Sequence, residues 1–84
     1  MKRITVRYFA SIREAVGQGS EALDTSAATL GALRDELIAR GGAHAASLAR
    51  GKAVRMALDQ VLSGEEAPLA EGAEVAFFPP VTGG

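Results

Sequence analysis

Ala73-Glu74-Val75-Ala76-Phe77-Phe78-Pro79-Pro80-Val81-Thr82-Gly83-Gly84 closes an apolar run on two aromatics, then continues through two prolines to two glycines. Ala73 to Phe78 reads as a final strand. Side chains alternate across a pleated backbone, so Val75 and Phe77 share one face and Phe78 points to the other. Proline holds φ near −65° and favours an extended path, so Pro79 and Pro80 are expected to carry the chain outward. The stretch from Pro79 to Gly84 reaches about 20 Å when extended, at about 3.3–3.6 Å per residue. Gly83 and Gly84 have no Cβ and fit a channel too narrow for other residues. The expected reactive group is the free α-carboxylate of Gly84. Small polar chain ends are often merely disordered. The strand and prolines before this one, and the lack of a competing side-chain cluster, favour the chemical reading.

Working outward from that strand, Arg3 to Phe9 alternates too, with Ile4, Val6 and Tyr8 on one face and Thr5, Arg7 and Phe9 on the other. Ser11-Ile12-Arg13-Glu14 has the spacing of a capping box, opening a short helix that runs through Val16 to a C-cap at Gly17. A brief strand is expected around Glu21-Ala22-Leu23. Thr29 is a candidate N-cap for the main helix, whose apolar stripe is Leu30, Leu33, Leu37 and Ile38. Arg34, Asp35, Glu36 and Arg40 mark its wet side, and Gly41-Gly42 stops it. Ala43 to Gly51 is ambiguous, with Ala45 to Arg50 a candidate for one more short helical turn. Ala53 to Leu58 reads as a strand, Asp59-Gln60 as a turn before Val61-Leu62, and Ser63 to Glu66 as exposed loop. The order predicts an α+β domain over residues 1–78, a mixed sheet with one main helix on one face, and an extended tail over 79–84.

If the first and last strands are neighbours, Phe9 and Phe78 emerge together on the solvent side at the root of the tail. Leu62 is a candidate to join them. Exposed aromatic clusters of this kind anchor partners; the alternative is that both rings fold back over the core.

Eighty-four residues make one small domain with a modest core. The net charge of −1, one Tyr and three Phe argue against nucleic acid as a partner. No apolar run approaches the ~18–20 residues that span a bilayer, so no membrane is expected. Met1-Lys2-Arg3 is not followed by a signal peptide's apolar region, which predicts a cytoplasmic protein. Cysteine is absent, so no side chain here can act as thiolate nucleophile or carry a persulfide.

Other motifs fail on inspection. Gly51-Lys52 resembles a phosphate-binding loop, but Ala46 and Ala53 break the pattern. Gly17-Gln18-Gly19 lacks the third glycine of a dinucleotide fingerprint. His44 stands alone and is expected on a surface loop, and Asp35-Glu36 and Glu65-Glu66 are expected to be solvated. No metal site and no bound cofactor are predicted, and the chain is not a self-contained enzyme.

Tyr8-Phe9-Ala10-Ser11-Ile12-Arg13-Glu14 and the whole stretch from Pro68 to Gly84 resemble the molybdopterin synthase small subunit, or MoaD, family of β-grasp, ubiquitin-like sulfur carriers. The Phe-Phe-Pro-Pro-Val-Thr-Gly-Gly ending is the specific part. Ala73 stands where the family pattern is acidic. The resemblance implies that a MoeB-like enzyme uses ATP to adenylate Gly84, and that a persulfide converts it to a thiocarboxylate. It also implies a MoaE-like large subunit, whose pocket receives the tail and passes the sulfur to cyclic pyranopterin monophosphate. Gly83 would then give clearance, Val81 and Thr82 would line the groove, and Pro79 and Pro80 would limit the ordering cost. The same resemblance assigns Phe9, Leu62 and Phe78 to the partner interface, in a heterotetramer. Gly-Gly alone also fits thiamin and tRNA sulfur carriers and protein modifiers joined to target lysines.

Overall fold

Alternation in the first and last strands produces the centre of the sheet. The computed structural model describes residues 1–80. It contains β1 (Lys2–Tyr8), α1 (Ala10–Val16), β2 (Ser20–Thr25), α2 (Leu30–Ala39), α3 (Gly42–Leu48), β3 (Arg55–Leu58), β4 (Val61–Ser63) and β5 (Glu74–Phe78). The five strands lie in the order β2-β1-β5-β3-β4. β1 runs parallel to β5, with Val6 opposite Val75 and Tyr8 opposite Phe77; the other pairs are antiparallel.

One face of this sheet is closed. Ile4, Val6 and Tyr8 of β1, Val75 and Phe77 of β5, and Met56 of β3 are buried with Leu30, Leu33 and Leu37 of α2. The stripe on α2 is the expected one, and Thr29 caps it, its Oγ1 accepting from the Ala32 amide at 3.2 Å. Gly17 closes α1 in the left-handed region at φ 88°, as its position after Val16 required.

Several expectations need correction. The Ser11–Glu14 capping box does not form: α1 starts at Ala10, with Phe9 as N-cap and no side-chain hydrogen bond. The cause is the sheet. Phe9 still donates its amide to the Phe77 carbonyl at 3.2 Å, so the chain turns only at Ala10, with φ 52°, and Ser11 already lies within the first turn. The ambiguous segment after Gly41 is a helix, α3, beginning at Gly42, earlier than the turn expected from Ala45. Gly41, at φ 75°, supplies the reversal between α2 and α3. Ser63, expected in the exposed loop, instead ends β4 with Leu62, because Asp59 and Gln60 (φ 50° and 71°) form the tight reversal of a two-residue hairpin.

Arg34 is the largest departure. It was assigned to the wet side of α2 but is 4% exposed. Its Nε donates to the Leu48 carbonyl at 2.8 Å, and its Nη2 to the carbonyls of Ala49 at 2.8 Å and Lys52 at 3.2 Å. Carbonyls at the end of α3 lack intrahelical partners, and a buried guanidinium with five N–H groups reaches three acceptors at once, of which the Ala49 carbonyl also accepts from the Lys52 amide at 2.9 Å. Helical periodicity alone cannot show this, since it registers Arg34 only as a charge.

Candidate functional site

Among the described residues, no helix covers the other face of the sheet. Across it, Arg7 of β1 lies opposite Ala76 of β5, Ala76 opposite Ala57 of β3, and Ala57 opposite Leu62 of β4. The two alanines make a low floor between larger side chains. Phe9 is 38% exposed at one end and Leu62 62% exposed at the other, and Phe78 is half-buried between them. Arg7, Phe9, Gln60, Glu74, Ala76 and Phe78 line one continuous groove. Phe9 and Phe78 therefore do not fold back over the core; those places belong to Tyr8 and Phe77, stacked at 6.3 Å between ring centroids.

Sequence reading missed the polar members of this groove. Arg7 sits 5.5 Å above the Phe9 ring centroid, within cation–π range. Its guanidinium also meets Glu74 at 3.7 Å. Asp59 accepts from the Glu74 amide at 2.9 Å, which ties the β3–β4 hairpin to β5. Alternation in β1 placed Arg7 on this face, but only the parallel pairing of β1 with β5 brings Glu74 to it.

β5 ends at Phe78 beside this groove. Pro79 and Pro80 are half-buried. Pro79 borders a second groove with Ser11 and Ile12 of α1 and with Lys52 and Val54 before β3. Val81, Thr82, Gly83 and Gly84, the expected tail-binding and reactive residues, lie outside the described residues.

Behind the first strand, two polar clusters hold the helices in place. The Tyr8 hydroxyl donates to Glu21 at 2.6 Å, Arg40 donates to Glu21 at 2.9 Å, and His44 Nε2 lies 3.2 Å from the same carboxylate. Burial pushes the Glu21 carboxyl up, but hydrogen bonds from Tyr8, Arg40 and His44 outweigh it and leave the pKa below the usual value. Burial and the Glu21 carboxylate raise the Tyr8 pKa well above a free phenol's. His44 is thus no surface-loop residue: it is in α3, its side chain 16% exposed, with its ring edge-on to Tyr8. Nor are Asp35 and Glu65 merely solvated. Arg50 bonds both, and Arg34 reaches Glu65 at 3.4 Å. Both clusters bridge structural elements; the second also reaches the edge of the open face through Glu65, which borders a groove with Leu62.

Among the described residues, no group of three or more His, Cys, Asp or Glu is arranged to hold a metal ion. No helix among them is long and apolar enough to cross a membrane.

A mixed sheet with a parallel central pair, helices on one face, and a C-terminal strand that ends beside an open apolar face defines a ubiquitin-like β-grasp protein. More particularly, the chain belongs to the ThiS family, which it matches over residues 6–84, in agreement with the MoaD resemblance of its sequence. The molybdopterin synthase sulfur carrier subunit of Escherichia coli strain K12 is 42% identical over 81 residues, which are 96% of this chain and 99% of that one. Among solved structures, SAMP1 from Haloferax volcanii superposes with a TM-score of 0.75 at 25% identity, covering 98% of this chain and 99% of that one. A chain in the complex of subunits 1 and 2 of the molybdopterin-converting factor from Helicobacter pylori 26695 gives a TM-score of 0.65 at 26% identity, covering 98% and 99%.

Proposed function

We propose that this chain is the sulfur carrier subunit of a molybdopterin synthase, a cytoplasmic protein whose Gly84 carboxylate is loaded with sulfur and discharged onto a pterin precursor. The observation that carries the reading is the root of the tail. The central strand β5 leads into Pro79-Pro80 beside an open face bearing Phe9, Leu62 and Phe78. A protein that must present its own main chain to other proteins needs such a docking face next to the exit point. The name of the E. coli relative supports sulfur carriage, and the two-subunit complex from H. pylori supports a second subunit as the partner.

At neutral pH an α-carboxylate is an anion and a poor electrophile, so it has to be activated. A MoeB-like partner would hold ATP, which this chain does not bind itself. The Gly84 carboxylate attacks the α-phosphorus, pyrophosphate leaves, and an acyl-adenylate remains. The outer sulfur of a persulfide then attacks the acyl carbon and displaces AMP. Cleavage of the S–S bond by a thiol leaves the thiocarboxylate. In the large subunit this sulfur attacks an oxygen-bearing side-chain carbon of cyclic pyranopterin monophosphate, and the C–O bond there breaks as the C–S bond forms. Water cleaves the acyl–sulfur bond to release Gly84 as a carboxylate; two transfers build the dithiolene. Gly83 provides clearance, Val81 and Thr82 run along the partner's groove in an extended path, and Pro79 and Pro80 limit the entropy lost on ordering. The domain over residues 1–78 is the docking body and residues 79–84 are the arm, in an assembly of two small and two large subunits.

The test is intact mass spectrometry after incubation with ATP, the activating enzyme and a sulfur donor. An oxygen-to-sulfur increment confined to Gly84, absent when a bulky residue replaces Gly83, is the expected result. No increment would sink the reading. A second reading, a modifier joined through Gly84 to lysines, draws on the structural likeness to archaeal modifier proteins. It predicts covalent protein adducts in the same samples.

A further inference from the structure

Charges on the open face of the sheet are matched across strands. Arg3 of β1 meets Asp24 of β2 at 3.3 Å, and Arg7 meets Glu74 of β5 at 3.7 Å. Arg55 breaks this pattern. It opens β3, is exposed, and makes no ion pair or side-chain hydrogen bond among the described residues. It lies directly opposite Phe78 in the β3–β5 register and shares a groove with Leu62. Glu65 borders the same groove, but its two oxygens are engaged by Arg34 and Arg50. Lys52, which borders the Pro79 groove, also has no ion pair among the described residues.

An unmatched cation therefore stands between two of the apolar groups that a partner would cover. Any surface that buries Phe78 and Leu62 also removes Arg55 from water. Desolvating a charge without a counter-charge is costly enough to cancel the gain from burying a large apolar side chain. Pairing inside a half-dry interface instead favours the one partner that supplies the opposite charge.

We propose that Arg55 is a specificity-determining residue of this face and that the large subunit presents a carboxylate opposite it, with Lys52 extending the basic flank toward the tail. The inference rests on the function proposed above and goes beyond it, by stating what the partner's surface must carry.

The experiment is calorimetric titration of the full chain with the large subunit from the same organism, at low and high salt. Arg55→Leu, Arg55→Lys and Arg55→Glu are compared with wild type, and Arg3→Gln serves as an edge control. Arg55→Leu is expected to weaken binding about 30-fold, equivalent to about 2 kcal/mol, because the partner's carboxylate is left unpaired. Arg55→Glu is expected to weaken it further, Arg55→Lys to retain most of it, and Arg3→Gln to leave it unchanged. Salt should weaken wild type more than Arg55→Leu. Because the Arg55 side chain is exposed and makes no ion pair or hydrogen bond among the described residues, unfolding midpoints should match wild type. Binding of Arg55→Leu that equals or exceeds wild type overturns the inference while the proposed function stands. Failure of wild type itself to bind the large subunit overturns both.

Discussion

Phe77 and Phe78 are consecutive in sequence and opposite in environment. Phe77 is wholly buried against Tyr8, whereas Phe78 borders the groove that also holds Phe9. Tyr8 and Phe9 divide in the same way at the end of the neighbouring strand. A strand with a period of two gives alternate residues to opposite faces, so one short stretch supplies both the core and the open face. The difference lies in what covers each face: helices close one, and no element of the described chain closes the other.

Substitution at this pair tests the contrast most directly. Phe77→Ala should cost about 3–5 kcal/mol in urea unfolding, because it opens a cavity at the centre of the core. Phe78→Asp should change stability by less than about 1 kcal/mol yet abolish binding to the large subunit. Comparable destabilisation by both would erase the division between the faces.

The next effect concerns the covered side. Arg34→Leu removes the donors for three carbonyls, at Leu48, Ala49 and Lys52. A loss of about 2 kcal/mol is expected, since the buried Leu48 carbonyl loses its side-chain donor while the Ala49 carbonyl keeps the Lys52 amide, and a buried acceptor left unsatisfied costs about 1–3 kcal/mol. Faster amide exchange through residues 48–53 would identify the cause. A surface role for Arg34 would predict almost no change.

A smaller effect comes from pH. The folded state depresses the Glu21 pKa, so its contribution is present above the unfolded value of 4.5 and fades as pH falls through the lower folded value. Tyr8 has a raised pKa, so its contribution is complete below pH 10 and is lost only as pH rises toward the higher folded value. Tyr8→Phe should cost about 1 kcal/mol at neutral pH, the net worth of one hydrogen bond, and flatten the alkaline limb of a stability–pH profile. An alkaline limb identical to wild type would remove Tyr8 from that role.

Much of the fold was legible in the sequence because the decisive signals are local. Alternation in β1 and β5, the stripe on α2, Thr29 at its start and Gly17 after α1 each depend on residues within a few positions. The same alternation placed Phe9 and Phe78 outside the core, although whether they stayed exposed depended on β1 and β5 being neighbours. The failures all involve long-range competition. Ser11 lost its cap because a sheet hydrogen bond held Phe9, and His44 was drawn inward by Glu21 from a different element. Arg34 was buried because the chain leaving α3 required donors.

From sequence alone come the element types, the apolar face of each, and the unusual Pro-Pro and Gly-Gly ending, since propensity and periodicity act within a few residues. Tertiary structure alone determined which strands adjoin, and therefore that Arg7 has an acid partner and Arg55 has none among the described residues. Pairing across a sheet joins residues tens of positions apart, and no local pattern records which cation meets which carboxylate.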